Sequence, residues 1–188
     1  MKPIMRQFLA SFLEVIEVVV VAFGAVFLIR SFLVQPFLVS GSSMIPNFSD
    51  GDYLLVDEVT YRFRQPERGE VIVFRYPKYE SAPQYFIKRI VGLSGERIKL
   101  KGGRVTVFNK EHPDGLALDE KYLPGGTNTA GEGEFQIPDG SYFVLGDNRA
   151  YSFDSRNWGV LKAGEIVGLV QFRLWPPSSL QVFAAPSY

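Results

Sequence analysis

The chain has 188 residues, in which 20 lysines and arginines balance 20 aspartates and glutamates, and it contains no cysteine. The balanced charge offers no electrostatic basis for binding a nucleic acid, so we expect no nucleic-acid partner. The lack of cysteine excludes disulfides, cysteine-zinc sites and cysteine nucleophiles.

The first predicted element is an apolar segment near the amino terminus. Every residue from 18 to 29 is apolar or glycine, and extending the segment back to Phe8 gives about the 20 residues that a bilayer crossing needs. Glu14 and Glu17 interrupt it toward its entry end, where a charge costs less than at the centre. The pattern predicts a single transmembrane helix.

Lys2 and Arg6 precede this segment and favour an amino terminus on the cytoplasmic side. We therefore predict a tail and anchor helix over residues 1–33 and a domain over residues 34–188 on the extracytoplasmic side of the plasma membrane. Two alternatives stay open. A cleaved signal peptide would need a small-x-small site that is not found after the apolar run, and an amphipathic or core helix would place both glutamates on one face.

After residue 29 the pattern changes to short runs rich in β-branched and aromatic residues, separated by Gly, Pro, Asp and Asn. Such runs are typical of strands, and no long stretch keeps helical periodicity. The sequence therefore predicts a mainly β, mostly antiparallel domain, with a long loop over residues 123–139. The predicted strands cover residues 53–56, 71–74, 85–87, 104–108, 142–145 and 166–170.

Three segments of this domain carry groups capable of chemistry. Residues 40–46 form a Gly/Ser cluster before a proline, which alone is typical of a turn. Residues 146–159 pack acids, arginines, serines and asparagines behind a hydrophobic strand. That segment is either a solvated loop of weak ion pairs or a rigid scaffold for a site.

Lys88 is the third feature, because it lies inside an apolar strand-like run. Strict alternation places Phe86, Lys88 and Ile90 on one face of that strand. The lysine is then either an edge residue that reaches water or a desolvated amine. Desolvation lowers a lysine pKa, and an amine with a pKa of about 7 to 8 can act as a general base.

His112 is the only histidine, and it lies in a polar, turn-like stretch. A Ser-His-Asp triad would need this residue as its base, and a two-histidine metal site is impossible. We therefore expect no metal and no cofactor.

Taken in their order along the chain, the segments around Ser43, around Lys88 and over residues 146–156 resemble the successive conserved boxes of the type I signal peptidases. The matching residues are Ser43, Met44 and Pro46, then Lys88 and Arg89 leading into Val91 and Gly92, then residues 146–149 and 154–156. The resemblance extends from Arg30 to about Val170. It implies a signal-peptidase-type β-sheet domain and a membrane-bound serine endopeptidase. Such an enzyme removes signal peptides from exported preproteins by cleaving after small-x-small motifs.

The same resemblance implies roles for individual residues. Ser43 matches the nucleophile and Lys88 the general base of a Ser/Lys dyad, although Ser42 is adjacent. Ser152 matches a second serine that hydrogen-bonds and orients the lysine. Four further residues match scaffold positions, namely Asp147, Arg149, Asp154 and Arg156.

The oxyanion hole and the substrate pocket are also assigned from the resemblance. The Ser43 backbone N–H is one expected oxyanion donor. Gly41 stands where some relatives carry a serine, and a backbone group there is the candidate for the second donor. The residues matching the shallow pocket are Phe37, Val39, Phe48, Phe86 and Ile87, and packing in the hydrophobic core is the alternative for each of them.

Two other classes of function compete with this interpretation. A membrane-tethered β domain could be a binding or assembly module in which all three segments are structural. A different Ser/Lys protease, such as a self-cleaving repressor or a pilin-processing peptidase, would share the dyad. A repressor would carry a helix-turn-helix domain where this chain has one apolar helix.

Overall fold

The computed structural model describes residues 3–32, 34–76 and 83–186. A single helix, α1 (Pro3–Phe32), precedes the β strands, and its side chains at residues 11–26 are all exposed. In these three ranges no helix has both the length and the apolar character needed to cross a membrane. The structure therefore does not confirm the transmembrane part of the fold prediction.

Twelve strands and one further α-helix follow in the described part of the chain. In chain order these elements are β1 (Val34–Leu38), β2 (Tyr53–Asp57), β3 (Val71–Tyr76), β4 (Gln84–Gly92), β5 (Arg97–Lys101), β6 (Arg104–Phe108), β7 (Leu116–Ala117), β8 (Gly133–Gln136), β9 (Ser141–Leu145), α2 (Ser155–Trp158), β10 (Leu161–Lys162), β11 (Ile166–Trp175) and β12 (Gln181–Val182).

The strands form two antiparallel sheets. The larger has the order β1-β2-β11-β3-β4-β9-β10, with β12 paired to β11, and the smaller has the order β7-β6-β5-β8. Every strand pair between described residues is antiparallel. The prediction of a mainly β, antiparallel domain is confirmed.

The central strands of the larger sheet are covered on both faces, which explains their continuous apolar sequence. All five residues of β9 are buried, as are five of the six residues of β3. One apolar cluster on this sheet includes Phe48 and Val73, and another includes Phe74 and Tyr142. A third cluster joins the two sheets. A strand buried on both faces reads as an unbroken hydrophobic run rather than an alternating one.

All six predicted strand runs lie within observed strands. Strands β1, β7, β10 and β12 were not predicted, and two further differences concern the smaller sheet. β5 was not predicted, and β8 lies within residues 123–139, which the sequence predicted to be a long loop. β8 pairs with β5 from Arg97 to Leu100, so this part of the chain completes the smaller sheet.

Strand β4 positions the functional residues. It pairs with β3 from Gln84 to Arg89, but with β9 only from Arg89 to Gly92. Among the described residues, the first half of β4 therefore has one edge without a partner strand. Residues 39–52, which connect β1 to β2, pass beside this free edge and bring Ser43 to Lys88.

Candidate active site

Ser43 and Lys88 lie side by side, although 45 residues separate them in the sequence. The Lys88 Nζ donates a hydrogen bond of 2.8 Å to the Ser43 Oγ and another of 2.8 Å to the Ile87 carbonyl. Lys88 is only 4% exposed, whereas Ser43 is half-buried and lines a cleft. A hydroxyl accessible to substrate is thus in direct contact with a buried amine.

Burial lowers the pKa of the Lys88 amine from 10.5 to about 8, while the negative charges of Asp154 and Asp147 partly oppose the shift. The Phe86 ring, with its centroid 5.6 Å from Nζ, supplies part of the apolar surroundings. A pKa near 8 leaves a substantial neutral fraction close to neutral pH, which a general base needs.

Gly146 lets the two serines of the site approach each other closely. A Cβ atom at this position would lie 2.1 Å from the Ser152 Oγ and 2.4 Å from the Ser43 carbonyl oxygen. The Ser152 Oγ is buried and has no hydrogen-bond partner among the described residues, so the predicted hydrogen bond to Lys88 is not made in this structure. Its role in orienting Lys88 stays a prediction.

Asp147 forms a buried ion pair with the residue that follows the lysine. The Arg89 guanidinium donates two hydrogen bonds to its carboxylate, of 2.8 and 2.6 Å, and one of 2.7 Å to the Gly69 carbonyl. Asn47 donates a further hydrogen bond to Asp147. Residues 46–48 and 146–148 are thereby held together next to Ser43.

Asp154 and Arg156 fix the far end of the same segment. Asp154 caps α2 and forms a capping box with Asn157, and it accepts the Gly146 N–H at 3.1 Å. Arg156 donates two hydrogen bonds of 2.8 Å to the Asp154 carboxylate and one of 2.7 Å to the Arg149 carbonyl. A carboxylate satisfied in this way holds the loop between residues 146 and 154 in one geometry.

Arg149 connects this loop to the segment between β7 and β8, through residues for which no role was predicted. Its guanidinium donates hydrogen bonds to Glu120, Thr129 and the Tyr122 hydroxyl, and to the Gly146 carbonyl. Residues 120–129 were predicted to lie in or beside a loop, and no local motif marks them. The connection depends on contacts over 20 to 29 residues, so local sequence carries no signal for it.

Asn148 lies inside the matching 146–149 segment, but no role was predicted for it. Its backbone N–H donates to the Ser43 carbonyl at 3.0 Å, and its side chain donates to the Ser42 carbonyl at 3.0 Å. The backbone of residues 42 and 43 is therefore held by the 146–149 segment.

The second oxyanion donor stays a prediction. The Gly41 backbone N–H donates a 2.7 Å hydrogen bond to the Asp50 carboxylate, so this N–H is occupied in the structure. Gly41 has φ of +97°, a conformation that favours glycine, and this turn aims its N–H at Asp50. The Ser43 N–H makes no hydrogen bond within the described part of the chain.

A cleft of about 360 Å³ leads to the Ser43 hydroxyl. Four of the five predicted pocket residues line it, namely Phe37, Val39, Phe86 and Ile87. Phe48 does not line the cleft. Its ring is fully buried in the core, 4.5 Å from that of Phe183, because the turn after Ser43 directs it inward.

Several other residues that were not predicted also line the cleft. They are apolar or aromatic side chains from β1, β2, β3, β4 and the 146–154 loop, namely Leu38, Leu54, Val73, Tyr85, Tyr151 and Phe153. The cleft is therefore an apolar groove that ends at a serine and a lysine.

Within the ranges that the structure describes, no group of three or more His, Asp or Glu side chains is arranged to hold a metal ion.

A hydroxyl bonded to a buried lysine, at the end of an apolar groove beside a free strand edge, defines the class of serine peptidases that use a lysine as base. The comparisons with known proteins narrow this class. A family described as "Signal peptidase, peptidase S26" matches residues 12–175. The chain belongs to this family and is a protease, which confirms the predicted resemblance.

Three relatives similar in sequence agree with this assignment. A probable signal peptidase I-2 of Synechocystis is 35% identical over 86% of this chain and 70% of that protein. A signal peptidase I of Leptolyngbya laminosa is 35% identical over 90% and 81%, and signal peptidase IB of Staphylococcus aureus strain COL is 33% identical over 90% and 92%. A solved signal peptidase I of Enterococcus faecalis V583 is 27% identical, with a TM-score of 0.47, over 57% of this chain and 98% of that one.

Proposed function

We propose that this chain removes signal peptides from exported preproteins, with Ser43 as the nucleophile and Lys88 as the general base. The observation that carries the proposal is the 2.8 Å contact between the Ser43 Oγ and a Lys88 amine that is only 4% exposed. The relatives named signal peptidase I support the choice of substrate.

In the first half of the reaction, neutral Lys88 accepts the proton of Ser43 while the Oγ attacks the scissile carbonyl carbon. The Ser43 N–H donates to the oxygen that becomes negative. The resulting ammonium gives its proton to the leaving amine, which departs as the new amino terminus of the mature protein. Water then attacks the acyl-enzyme, with Lys88 again accepting the proton, and releases the signal peptide.

The cleft supports a requirement for small side chains at positions −1 and −3 before the cut. Its floor is already filled by Val39, Leu54 and Val73, each of which is buried. An extended peptide can add to the free edge of β4 through main-chain hydrogen bonds. Side chains that point to a filled floor must then be small.

The remaining residues of the recognised segments are proposed to act as scaffold. Asp147, Arg149, Asp154 and Arg156 hold the loop that clamps Ser43 through Asn148. Their hydrogen bonds and ion pairs are internal, which supports a positioning role rather than a chemical one.

Cleavage of a purified preprotein in detergent tests the proposal. We expect Ser43→Ala and Lys88→Ala each to lower kcat/KM by at least about 10³-fold, because either change removes the dyad. Lys99→Ala is the matched control, since Lys99 is a half-exposed strand lysine paired to Glu134 on the smaller sheet. Full activity of Ser43→Ala, or no cleavage by the wild type, would reject the assignment.

We further propose that α1 is the membrane anchor and that residues 34–188 lie on the extracytoplasmic side of the plasma membrane. The apolar side chains of α1 support this, because Phe12 and Phe23 are among many that no other part of the described chain covers. After alkaline carbonate extraction the protein should stay with the membranes. A Val20→Asp, Phe23→Asp variant should be released more readily, and release of the wild type would reject the anchor.

A further inference from the structure

The two faces of β4 beside the free edge differ in character. On one face, Ile87 packs against the buried cluster that contains Val39 and Leu54. On the other face, the Phe86 ring stacks on that of Tyr76 at 5.0 Å. The first face is a filled, buried floor, and the second belongs to an aromatic group.

Phe153 extends this aromatic group to the mouth of the cleft. Its ring meets that of Tyr76 edge-on at 5.9 Å, yet Phe153 remains 52% exposed. Tyr151, two residues earlier, also lines the cleft and is 79% exposed. Two exposed aromatic rings thus flank Ser152 in the loop that holds the nucleophile.

A peptide strand that adds to the free edge of β4 places successive side chains on opposite faces. On the mechanism proposed above, the small side chains at −1 and −3 point to the floor formed by Val39 and Leu54. The side chain at −2 then points to the opposite face, where Phe86 and Phe153 lie. The Phe153 ring on that face is 52% exposed and can be contacted by a large side chain.

We propose that Phe153, assisted by Tyr151, forms a subsite for the side chain at position −2 of the substrate, and that this subsite favours aromatic and large apolar residues. The proposal rests on the function proposed above. An aromatic side chain that packs on an exposed ring gains from burial of apolar surface and from ring contact. A glycine at −2 gains neither.

Two peptides that differ only at position −2, one with phenylalanine and one with glycine, test the subsite. The wild-type protein should cleave the phenylalanine peptide with a kcat/KM about 10-fold higher, because contact with one ring contributes an amount of this order. Phe153→Ala should reduce the ratio between the peptides to within about twofold. Phe153→Leu should keep part of the preference, and Tyr151→Ala should lower it by a smaller factor.

Phe63→Ala is the matched control, because Phe63 is 85% exposed and does not line the cleft. The ratio between the two peptides decides the test, so a variant with lower overall activity remains informative. Equal cleavage of both peptides by the wild type, or an unchanged preference in Phe153→Ala, would overturn the subsite while leaving the dyad in place. Failure to cleave either peptide would instead count against the proposed function.

Discussion

Lys88 and Arg89 are neighbours on β4, and both are buried, with exposures of 4% and 6%. Their hydrogen-bond partners differ in charge. Arg89 faces the Asp147 carboxylate and forms a bidentate ion pair with it. The hydrogen bonds of Lys88 go to the neutral Ser43 hydroxyl and Ile87 carbonyl. One strand thus pairs one cation with a carboxylate and lowers the pKa of the other.

This difference shows how one sheet can supply both a scaffold and a base. A buried charge is stable only when it is paired and fully hydrogen-bonded, and Arg89 meets that condition. A buried amine without a directly contacting carboxylate loses its proton more easily, and the lowered pKa of Lys88 is what its proposed role as general base requires. The strand alternation that separates the two faces also separates the two electrostatic environments.

The largest expected effect comes from breaking the ion pair. Arg89→Met should lower the free energy of unfolding by about 3–5 kcal/mol, because Asp147 would remain buried and charged without its partner. Urea denaturation at pH 7 measures the change. Glu134→Gln removes an exposed ion pair with Arg97 and Lys99 and should cost less than about 1 kcal/mol. If Arg89→Met lowered the free energy of unfolding by less than about 1 kcal/mol, the proposed contrast between Arg89 and Lys88 would be rejected.

The same substitution at position 88 should change the free energy of unfolding in the opposite direction. Lys88→Met should raise the free energy of unfolding at pH 7 by roughly 3 kcal/mol, because the wild type must hold a buried ammonium whose pKa has fallen from 10.5 to about 8. This cost is fully present below pH 8. It disappears as the pH rises from about 8 to 10.5, where the unfolded chain binds more protons than the native state.

Urea titrations of the wild type and of Lys88→Met, each at a series of pH values, check this sign. The difference between the two proteins removes the contribution of tyrosines that titrate in the same range. If Lys88→Met were less stable than the wild type at pH 7, the amine would be stabilised rather than strained by its surroundings.

Five strands of the larger sheet could be predicted from the sequence because each contains an apolar run, namely β2, β3, β4, β9 and β11. β5 could not, because Arg97, Lys99 and Lys101 make it look polar although Ile98 and Leu100 are buried between them. In a strand of only five residues, two buried apolar side chains between three charged ones are too few to show the alternation typical of a half-buried strand. β8 was missed because Gly, Glu and Gln surround its single aromatic residue.

For the site as well, residues in a local sequence motif could be predicted, whereas positions that depend on contacts with distant residues could not. Ser43 and Lys88 were found because each lies in a recognisable motif, and the structure places them in contact. Phe48 was assigned wrongly because its burial depends on Phe183, far away in sequence. The second oxyanion donor could not be identified from the sequence, because the partner of each backbone N–H, such as Asp50 for Gly41, depends on how the turn folds.

The pH dependence of catalysis gives a smaller but more specific test of the contrast. The value of kcat/KM should rise with an apparent pKa of about 8, the value that burial gives to Lys88. Activity should therefore fall about 10-fold for each pH unit below that point. Peptide cleavage between pH 6 and 10, with folding checked at each pH, measures the limb. A limb that rises only near pH 10 would show a solvated amine.

The smallest effect is expected at Ser42, which offers a second comparison between neighbours. Ser42 is exposed, whereas Ser43 is half-buried and bonded to Lys88. The interaction that holds Ser42 in place uses its backbone carbonyl, which accepts from the Asn148 side chain at 3.0 Å. Alanine keeps that carbonyl, so Ser42→Ala should change kcat/KM by less than about threefold, as surface substitutions away from special features usually do. Parallel assays of Ser42→Ala and Ser43→Ala on one peptide measure the difference. If Ser42→Ala lost as much activity as Ser43→Ala, the hydroxyl that attacks the substrate would not be identified by its contact with Lys88.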